Sequence, residues 1–404
     1  MTVIYFMRIL FFNYEYPPLG GGAGNATYYL LKEYAKIPDL KVDLVTSSID
    51  AEYHREKMGG NISIHRLPIG KNRNNLHFQS QKEMLTYLFK AYFFSRKLIK
   101  ENEYDLSHSF FTFPCGLISL FLKWQKKIPF IVSLRGSDVP GYNERFALLY
   151  FFLKPLSRLI WKKSLAVIAN SQGLKDLALK TNPKQKIGVI CNGIDTDQFN
   201  GGSSTPIMGV ELPPDKFIIT TGASRITARK GIKYLLEAMA KLLPEYSNVH
   251  LKLMGEGDEK ENLEKMSKEL GIEKNVEFVG RVPREDTAPF YREANIFVLP
   301  SFNEGMSNAM LEALASGLPL IATDTGGTKE LLEDGKNGFI IQMKNSEDIA
   351  EKIKRLIDNP ELRQKMAEES RKKALEMSWE KVAENYLDIY RKIQCHPELV
   401  EGSN

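Results

Sequence analysis

Short β-rich runs alternate with helical segments along nearly the whole chain, and no other feature restricts its fold as much. In the first half, Met7–Phe12, Lys41–Thr46, Ile62–Arg66, Leu106–His108, Phe130–Leu134, Ala166–Ala169 and Lys186–Ile190 read as buried strands. Helical segments such as Ala26–Lys36 and Gly116–Gln125 lie between them. That alternation predicts a parallel sheet with helices on both faces, because parallel neighbours need a crossover connection. The pattern breaks over Cys191–Asp215, where Gly201-Gly202-Ser203-Ser204 and Pro213-Pro214 mark a linker. It restarts with strands at Phe217–Thr221, Val249–Met254, Val276–Phe278, Ile296–Leu299, Leu320–Ala322 and Gly338–Ile341, with helices such as Ile232–Leu243 and Asn308–Ser316 between them. From Ser346 to Ile393 the spacing is helical throughout, which predicts two or three terminal helices. The expected organisation is a doubly wound domain over 1–200, a second over 201–376, a terminal helix over 377–394 and a frayed tail over 395–404.

A chain of 404 residues is long for one core and suits two domains of about 100–200 residues. Its 43% apolar and 26% charged residues are ordinary globular composition, which excludes a fibrous or wholly disordered chain. Cys115, Cys191 and Cys395 are odd in number, far apart and in no metal-like spacing, so a reducing cytoplasm fits them best. The apolar start is interrupted by Arg8 and lacks a small-residue cleavage site, so no signal peptide is expected. No uncharged apolar stretch approaches the ~20 residues a membrane-spanning helix needs. Residues 1–200 carry 27 Lys and Arg against 16 Asp and Glu, net +11, whereas the remainder carries 28 against 34, net −6. A basic half beside an acidic one points to an anionic partner or to solvated surface alone.

In doubly wound sheets, ligands bind where loops leave the carboxyl ends of the strands. After the first strand comes Pro17-Pro18-Leu19-Gly20-Gly21-Gly22-Ala23-Gly24-Asn25, which opens a helix. Glycine there lets backbone N–H groups approach a phosphate at the positive helix end, or serves only close strand–helix packing. The spacing is not a dinucleotide fingerprint: neither Gly20-x-Gly22 nor Gly22-x-Gly24 has Gly or Ala three further on, and Asp43 lies inside the second strand. A nicotinamide dehydrogenase is therefore disfavoured.

In the second half, Gly222-Ala223-Ser224-Arg225-Ile226-Thr227-Ala228-Arg229-Lys230-Gly231 sets three cations at the mouth of a helix. Such a group can hold a diphosphate and neutralise it more strongly as it departs, or be a plain surface charge run. After Ile296–Leu299 comes Pro300-Ser301-Phe302-Asn303-Glu304-Gly305-Met306-Ser307-Asn308-Ala309-Met310-Leu311-Glu312-Ala313. On one helix Glu304 and Glu312 would stand ~12 Å apart along its axis, too far to share a proton but able to grip two ends of one ligand. The N–H groups of Gly305, Met306, Ser307 and Asn308 would then face its anionic middle.

Arg225 with Lys230-Gly231, Glu304-Gly305-Met306-Ser307-Asn308 with Glu312, and Ala315 through Gly327 together resemble the retaining GT-B glycosyltransferases of family four, the glycosyl transferases of group 1. Gly20–Gly24 and Asn192-Gly193-Ile194-Asp195 fall in the expected order, so the likeness covers nearly the whole chain. The resemblance implies a GT-B fold: two Rossmann-like α/β domains facing across a cleft, with C-terminal helices crossing back to the N-terminal domain. It implies a hexosyltransferase-type enzyme that moves a sugar from a nucleotide-diphosphate donor (UDP, GDP or ADP) to a hydroxyl of a glycan or lipid-linked acceptor. Arg225 and Lys230 would bind the donor diphosphate, Glu304 the sugar hydroxyls and Glu312 the ribose. Gly21, Gly22 and Gly305–Asn308 would add backbone contacts, and Arg225, Lys230 and Glu304 would be the catalytic set. No metal and no other cofactor is expected, because by the resemblance cations stand in for a divalent ion.

One departure bears on the acceptor side. Many relatives carry a His-Gly or His-Asp motif after the strand matching Phe130–Leu134, whereas this chain has Arg135-Gly136-Ser137-Asp138. Arginine is no base. Arg135 would supply charge there, and proton removal would fall to the leaving phosphate or Asp138, with His108 as a substitute or a hydrogen-bonded core residue. The rival readings are a GT-B epimerase or hydrolase of sugar nucleotides and a non-catalytic nucleotide-sugar-binding protein. Residues 145–163 combine aromatic and aliphatic residues with Arg145, Lys154, Arg158, Lys162 and Lys163. With Lys123, Lys126 and Lys127 they read as an anionic-membrane contact on the inner face, or as a core helix broken at Pro155. No nucleic acid partner is expected.

Overall fold

The structure, a computed structural model, describes residues 6–71, 76, 79–142, 147–199, 216–283 and 286–395, without the side chains of 147–149, 223–225 and 395. It forms two compact units, Met1–Asn192 with Trp379–Asn404, and Gly193–Ser378.

The first unit holds β1 (Met7–Phe12), β2 (Leu40–Ser48), β3 (His54–Met58), β4 (Ile62–Pro68), β5 (Leu106–Phe110), β6 (Phe130–Leu134), β7 (Ala166–Ala169) and β8 (Ile187–Val189) in the order β3-β4-β2-β1-β5-β6-β7-β8. Its first five helices are α1 (Gly22–Tyr34), α2 (Gln81–Glu101), α3 (Leu117–Lys126), α4 (Ala147–Lys163) and α5 (Gln172–Thr181). All pairings are parallel except β3 with β4. Strand β3 corrects the all-parallel expectation: His54-Arg55-Glu56-Lys57-Met58 has no buried face and so shows no apolar signal, and its charges guard the sheet edge. Chain winding reverses at β1. Right-handed crossovers therefore put α1 on one face of the sheet and α2 to α5 on the other, where α2 packs on α3 and α3 on α4. Helix α4 runs unbroken through Pro155, correcting the break expected there. The missing N–H costs one intrahelical bond, and it falls on the solvent side beside exposed Phe151, where water can take the freed carbonyl.

The second unit holds β9 (Phe217–Arg225), β10 (Val249–Glu256), β11 (Val276–Gly280), β12 (Ile296–Leu299), β13 (Leu320–Thr323) and β14 (Gly338–Ile341), in the order β11-β10-β9-β12-β13-β14. Every pairing is parallel. Its helices are α6 (Thr196–Phe199), α7 (Ile232–Leu242), α8 (Lys260–Glu269), α9 (Ala288–Arg292), α10 (Asn308–Ala315), α11 (Thr328–Leu331), α12 (Ser346–Asp358) and α13 (Pro360–Leu375). The segment from Gly193 belongs here rather than to the first unit. Ile194 bridges to Ser378, Arg371 donates to the Thr196 carbonyl, and Phe199 packs on Tyr291.

The last helix, α14 (Trp379–Cys395), returns to the first unit and lies on α1. Trp379 stacks on Tyr29, with ring centroids 5.4 Å apart, and the Tyr34 hydroxyl donates to that of Tyr390 at 3.0 Å. Among the described residues, no helix is long and apolar enough to cross a membrane.

Candidate active site

Strands β9 and β12 are neighbours at the centre of the second sheet, and the chain winds away from them in opposite directions. Loops leaving their carboxyl ends therefore diverge and open the crevice where doubly wound sheets bind ligands. The loop after β9 brings Lys230, and the loop after β12 brings Glu304. Lys230 Nζ stands 2.5 Å from Glu304 Oε1, with both side chains largely but not fully buried. Ser301 Oγ donates to the same carboxylate oxygen at 2.8 Å, so Glu304 is held from two sides.

Three loops close around this pair. The Phe302 N–H donates to the Arg229 carbonyl at 2.8 Å, tying the β12 loop to the β9 loop. Gly231 makes the approach possible: at φ +65 its Cα faces the backbone so closely that a Cβ would lie 2.1 Å from the Pro300 carbonyl oxygen. The loop after β13 arrives from the other side, with the Gly327 N–H donating to the Gly305 carbonyl at 2.8 Å. There Gly326, at φ +49, leaves room for the Glu304 carbonyl, which a Cβ would meet at 1.6 Å. Thr323 donates to the Ser301 carbonyl and closes the ring of contacts.

Glu304 lies in the loop before α10 and Glu312 inside that helix, so the two do not share one helix axis. Ser307 caps α10, its hydroxyl accepting from the Met310 N–H, and Met306 and Ser307 are buried while Gly305 and Asn308 are partly open. The Glu312 carboxylate is buried and accepts a hydrogen bond from the Tyr291 hydroxyl at 3.0 Å. Sequence reading missed Tyr291, which nothing in Ala288-Pro289-Phe290-Tyr291 announces. Ser301 and Gly326 were missed too, although Ser301 stands three residues before Glu304 in the same loop. Arg225 ends β9, but its side chain lies outside the described residues.

In the first unit, the glycine loop shows close packing at one glycine and open space at another. The Gly21 N–H, at the start of α1, points to the Glu15 carboxylate at 3.3 Å, and a Cβ on Gly21 would meet open space. Gly24 packs tightly, where a Cβ would lie 2.9 Å from the Leu19 carbonyl. His108 is fully buried: Nδ1 meets the Tyr390 hydroxyl at 2.6 Å and Nε2 the Ser133 hydroxyl at 2.8 Å. Burial, and then the Arg135 charge, hold its pKa well below the ordinary value. With both nitrogens engaged inside the core, His108 takes the hydrogen-bonded core role rather than that of a catalytic base.

Arg135 points at neutral groups. Its guanidinium donates to Asn192 Oδ1 at 3.0 Å and to the Tyr386 hydroxyl at 3.1 Å, and lies 3.5 Å from the centroid of the Phe110 ring. The Asp138 carboxylate accepts from the N–H groups of Arg135, Gly136 and Thr112 at 2.9, 3.1 and 2.8 Å, and from the Thr112 hydroxyl at 3.0 Å. Burial pushes its pKa up, against these hydrogen bonds. Four accepted bonds fill the lone pairs a base would use, so Asp138 works as a loop buckle.

Two doubly wound α/β units, with a cation–carboxylate pair at the switch point of the second, make the architecture of a GT-B glycosyltransferase. Residues 20–198 match the model of Glycosyltransferase Family 4, and residues 205–373 that of Glycosyl transferases group 1. An uncharacterized glycosyltransferase of Methanocaldococcus jannaschii is 27% identical over 388 residues, spanning 96% of this chain and 99% of that one. Among solved structures, sucrose-phosphate synthase from Thermosynechococcus elongatus superposes with a TM-score of 0.80 at 20% identity, over 96% of this chain and 99% of that one. HepE from Anabaena, in complex with UDP and glucose, gives 0.72 at 19% identity, over 96% and 100%. This chain is a GT-B-fold glycosyltransferase of the family 4 and group 1 type.

Proposed function

We propose that the protein transfers a hexose-type sugar from a nucleotide-diphosphate donor to a hydroxyl of a glycan or lipid-linked acceptor, retaining the anomeric configuration and using no metal. The observation that carries this reading is the Lys230–Glu304 pair at the switch point. Lys230 and Glu304 pair with each other. A donor diphosphate would take Lys230, with Arg225, and release Glu304 to accept from sugar hydroxyls, while Glu312, oriented by Tyr291, would receive the ribose. The bond from the anomeric carbon to the diphosphate breaks with its electron pair on the diphosphate, where the cations stabilise it most. The acceptor oxygen bonds to the anomeric carbon, and its proton passes to a departing phosphate oxygen, since Asp138 and His108 are already engaged. Retention rests on the family resemblance. The HepE complex supports trying uridine donors first. The net +11 of residues 1–200 supports a peripheral position on an anionic membrane surface.

The test is incubation with UDP-, GDP- and ADP-sugars and an acceptor panel in excess EDTA, read by mass spectrometry. The expected result is a glycosylated acceptor at full rate in EDTA. Activity that magnesium or manganese must restore overturns metal independence. Fast conversion of donor alone to an epimer or free sugar favours the epimerase or hydrolase instead, and tight donor binding with no turnover favours a binding protein.

A further inference from the structure

The large apolar side chains left on the surface are unevenly placed. Seven of them, Leu85, Phe89, Phe93, Trp124, Phe151, Phe152 and Leu159, lie on α2, α3 and α4, which form one helical layer of the first unit. Leu85, Phe89 and Phe93 recur every fourth residue and so make a stripe along α2. Phe89 and Phe93 are 62% and 61% exposed, Trp124 54%, and Phe151 and Phe152 70% and 66%. A chain of ring contacts from Phe93 through Tyr92 and Phe121 to Trp124 joins α2 to α3, and Lys123 Nζ donates to the Lys163 carbonyl at 2.9 Å, joining α3 to α4.

The charges around these rings have one sign. Helix α2 carries five cations, α3 two and α4 four. The acids on the three helices are Glu83, buried in the α2 capping box, and Glu101 at the helix end. Isolated exposed apolar residues need no explanation, but a layer of aromatic rings framed by cations does. Aromatic rings partition into the interfacial zone of a bilayer, and Lys and Arg beside them meet anionic headgroups, each gaining about 1 kcal/mol near the surface. A protein partner large enough to cover three helices would need matching acidic patches, whereas an anionic bilayer supplies negative charge continuously.

We propose that the outer face of α2, α3 and α4 docks the protein on an anionic phospholipid bilayer, with the aromatic side chains inserted at headgroup level. This deepens the peripheral reading above and is tested by binding alone, so it stands or falls separately from the sugar transfer. Trp124 is the natural reporter, since Trp161 and Trp379 are buried. The full chain is mixed with vesicles of phosphatidylcholine, with or without phosphatidylglycerol. Expected are co-sedimentation with anionic vesicles at low salt, release at high salt, and quenching of Trp124 by brominated lipid that is lost in W124F. Phe151→Ser with Phe152→Ser should weaken partitioning about tenfold, and Lys97→Ala with Lys154→Ala and Lys162→Ala on the order of 100-fold. Thermal unfolding confirms that each variant is folded. Protein that stays in the supernatant, Trp124 emission indifferent to brominated lipid, or equal binding to neutral vesicles overturns the proposal. So does a dimer in solution that the two Phe substitutions dissociate, because a second copy would then cover this face.

Discussion

The two units place polar residues on or after their central strands and use them in opposite ways. In the second unit, Lys230 and Glu304 leave neighbouring strands and meet each other in a partly open crevice. In the first unit, Arg135 and His108 turn toward the terminal helix and are spent on the hydroxyls of Tyr386 and Tyr390. Partners decide the difference. A charge paired with an opposite charge in a partly open crevice can exchange that partner for a ligand, whereas one buried among several fixed neutral groups holds structure.

The largest effect expected from this contrast lies in the second unit. Lys230→Ala and Glu304→Ala should each lower turnover by at least ~100-fold while the thermal midpoint barely moves, and the double variant should be far less than multiplicatively worse. Near-normal turnover in either single variant removes the pair from the site. Next comes Gly326→Ala, which forces a Cβ against the Glu304 carbonyl in a left-handed conformation. It should cost about 2 kcal/mol of stability and roughly tenfold in turnover, by displacing the Glu304 loop. Unchanged kinetics would mean that the loop tolerates more movement than its packing suggests.

The first unit should answer differently. Arg135→Gln should lower stability by about 1–3 kcal/mol, because Asn192 and Tyr386 lose a donor inside the unit. Turnover per folded molecule should change by less than about tenfold. A hundredfold loss with an unchanged midpoint breaks the comparison and puts Arg135 in the reaction.

The smallest effect is a pH slope. His108 stays neutral in the fold because burial depresses its pKa below the ordinary 6.5. Below pH 6.5 the unfolded chain takes a proton that the folded one refuses, so stability falls as pH drops, by about 1.4 kcal/mol per unit at most, until the folded value is reached. His108→Asn should flatten denaturant-measured stability between pH 7 and 5 by this one-proton contribution. An identical slope in both proteins means that His108 takes up its proton as readily in the fold as in the unfolded chain, so its pKa is not depressed.

Much of this molecule could be read from local sequence. Phe130–Leu134, Ala166–Ala169, Ile296–Leu299 and Gly338–Ile341 carry the same bounds in the sequence reading and in the fold, since each is a short, largely apolar run followed by a polar residue or Pro. Strand β3 escaped because both of its faces are polar. Lys230 and Glu304 stood out because charges in the loops that follow apolar strands are conspicuous. That they touch depends on β9 and β12 being neighbours, which strand order decides and no local pattern reveals. Gly326 and Tyr291 depend on it too, since each meets its partner across a different element. The stripe of Leu85, Phe89 and Phe93 shows the same limit from the other side. Helical spacing marks an apolar face, but only the packing of the layer determines whether that face is covered, and here it is left in the open.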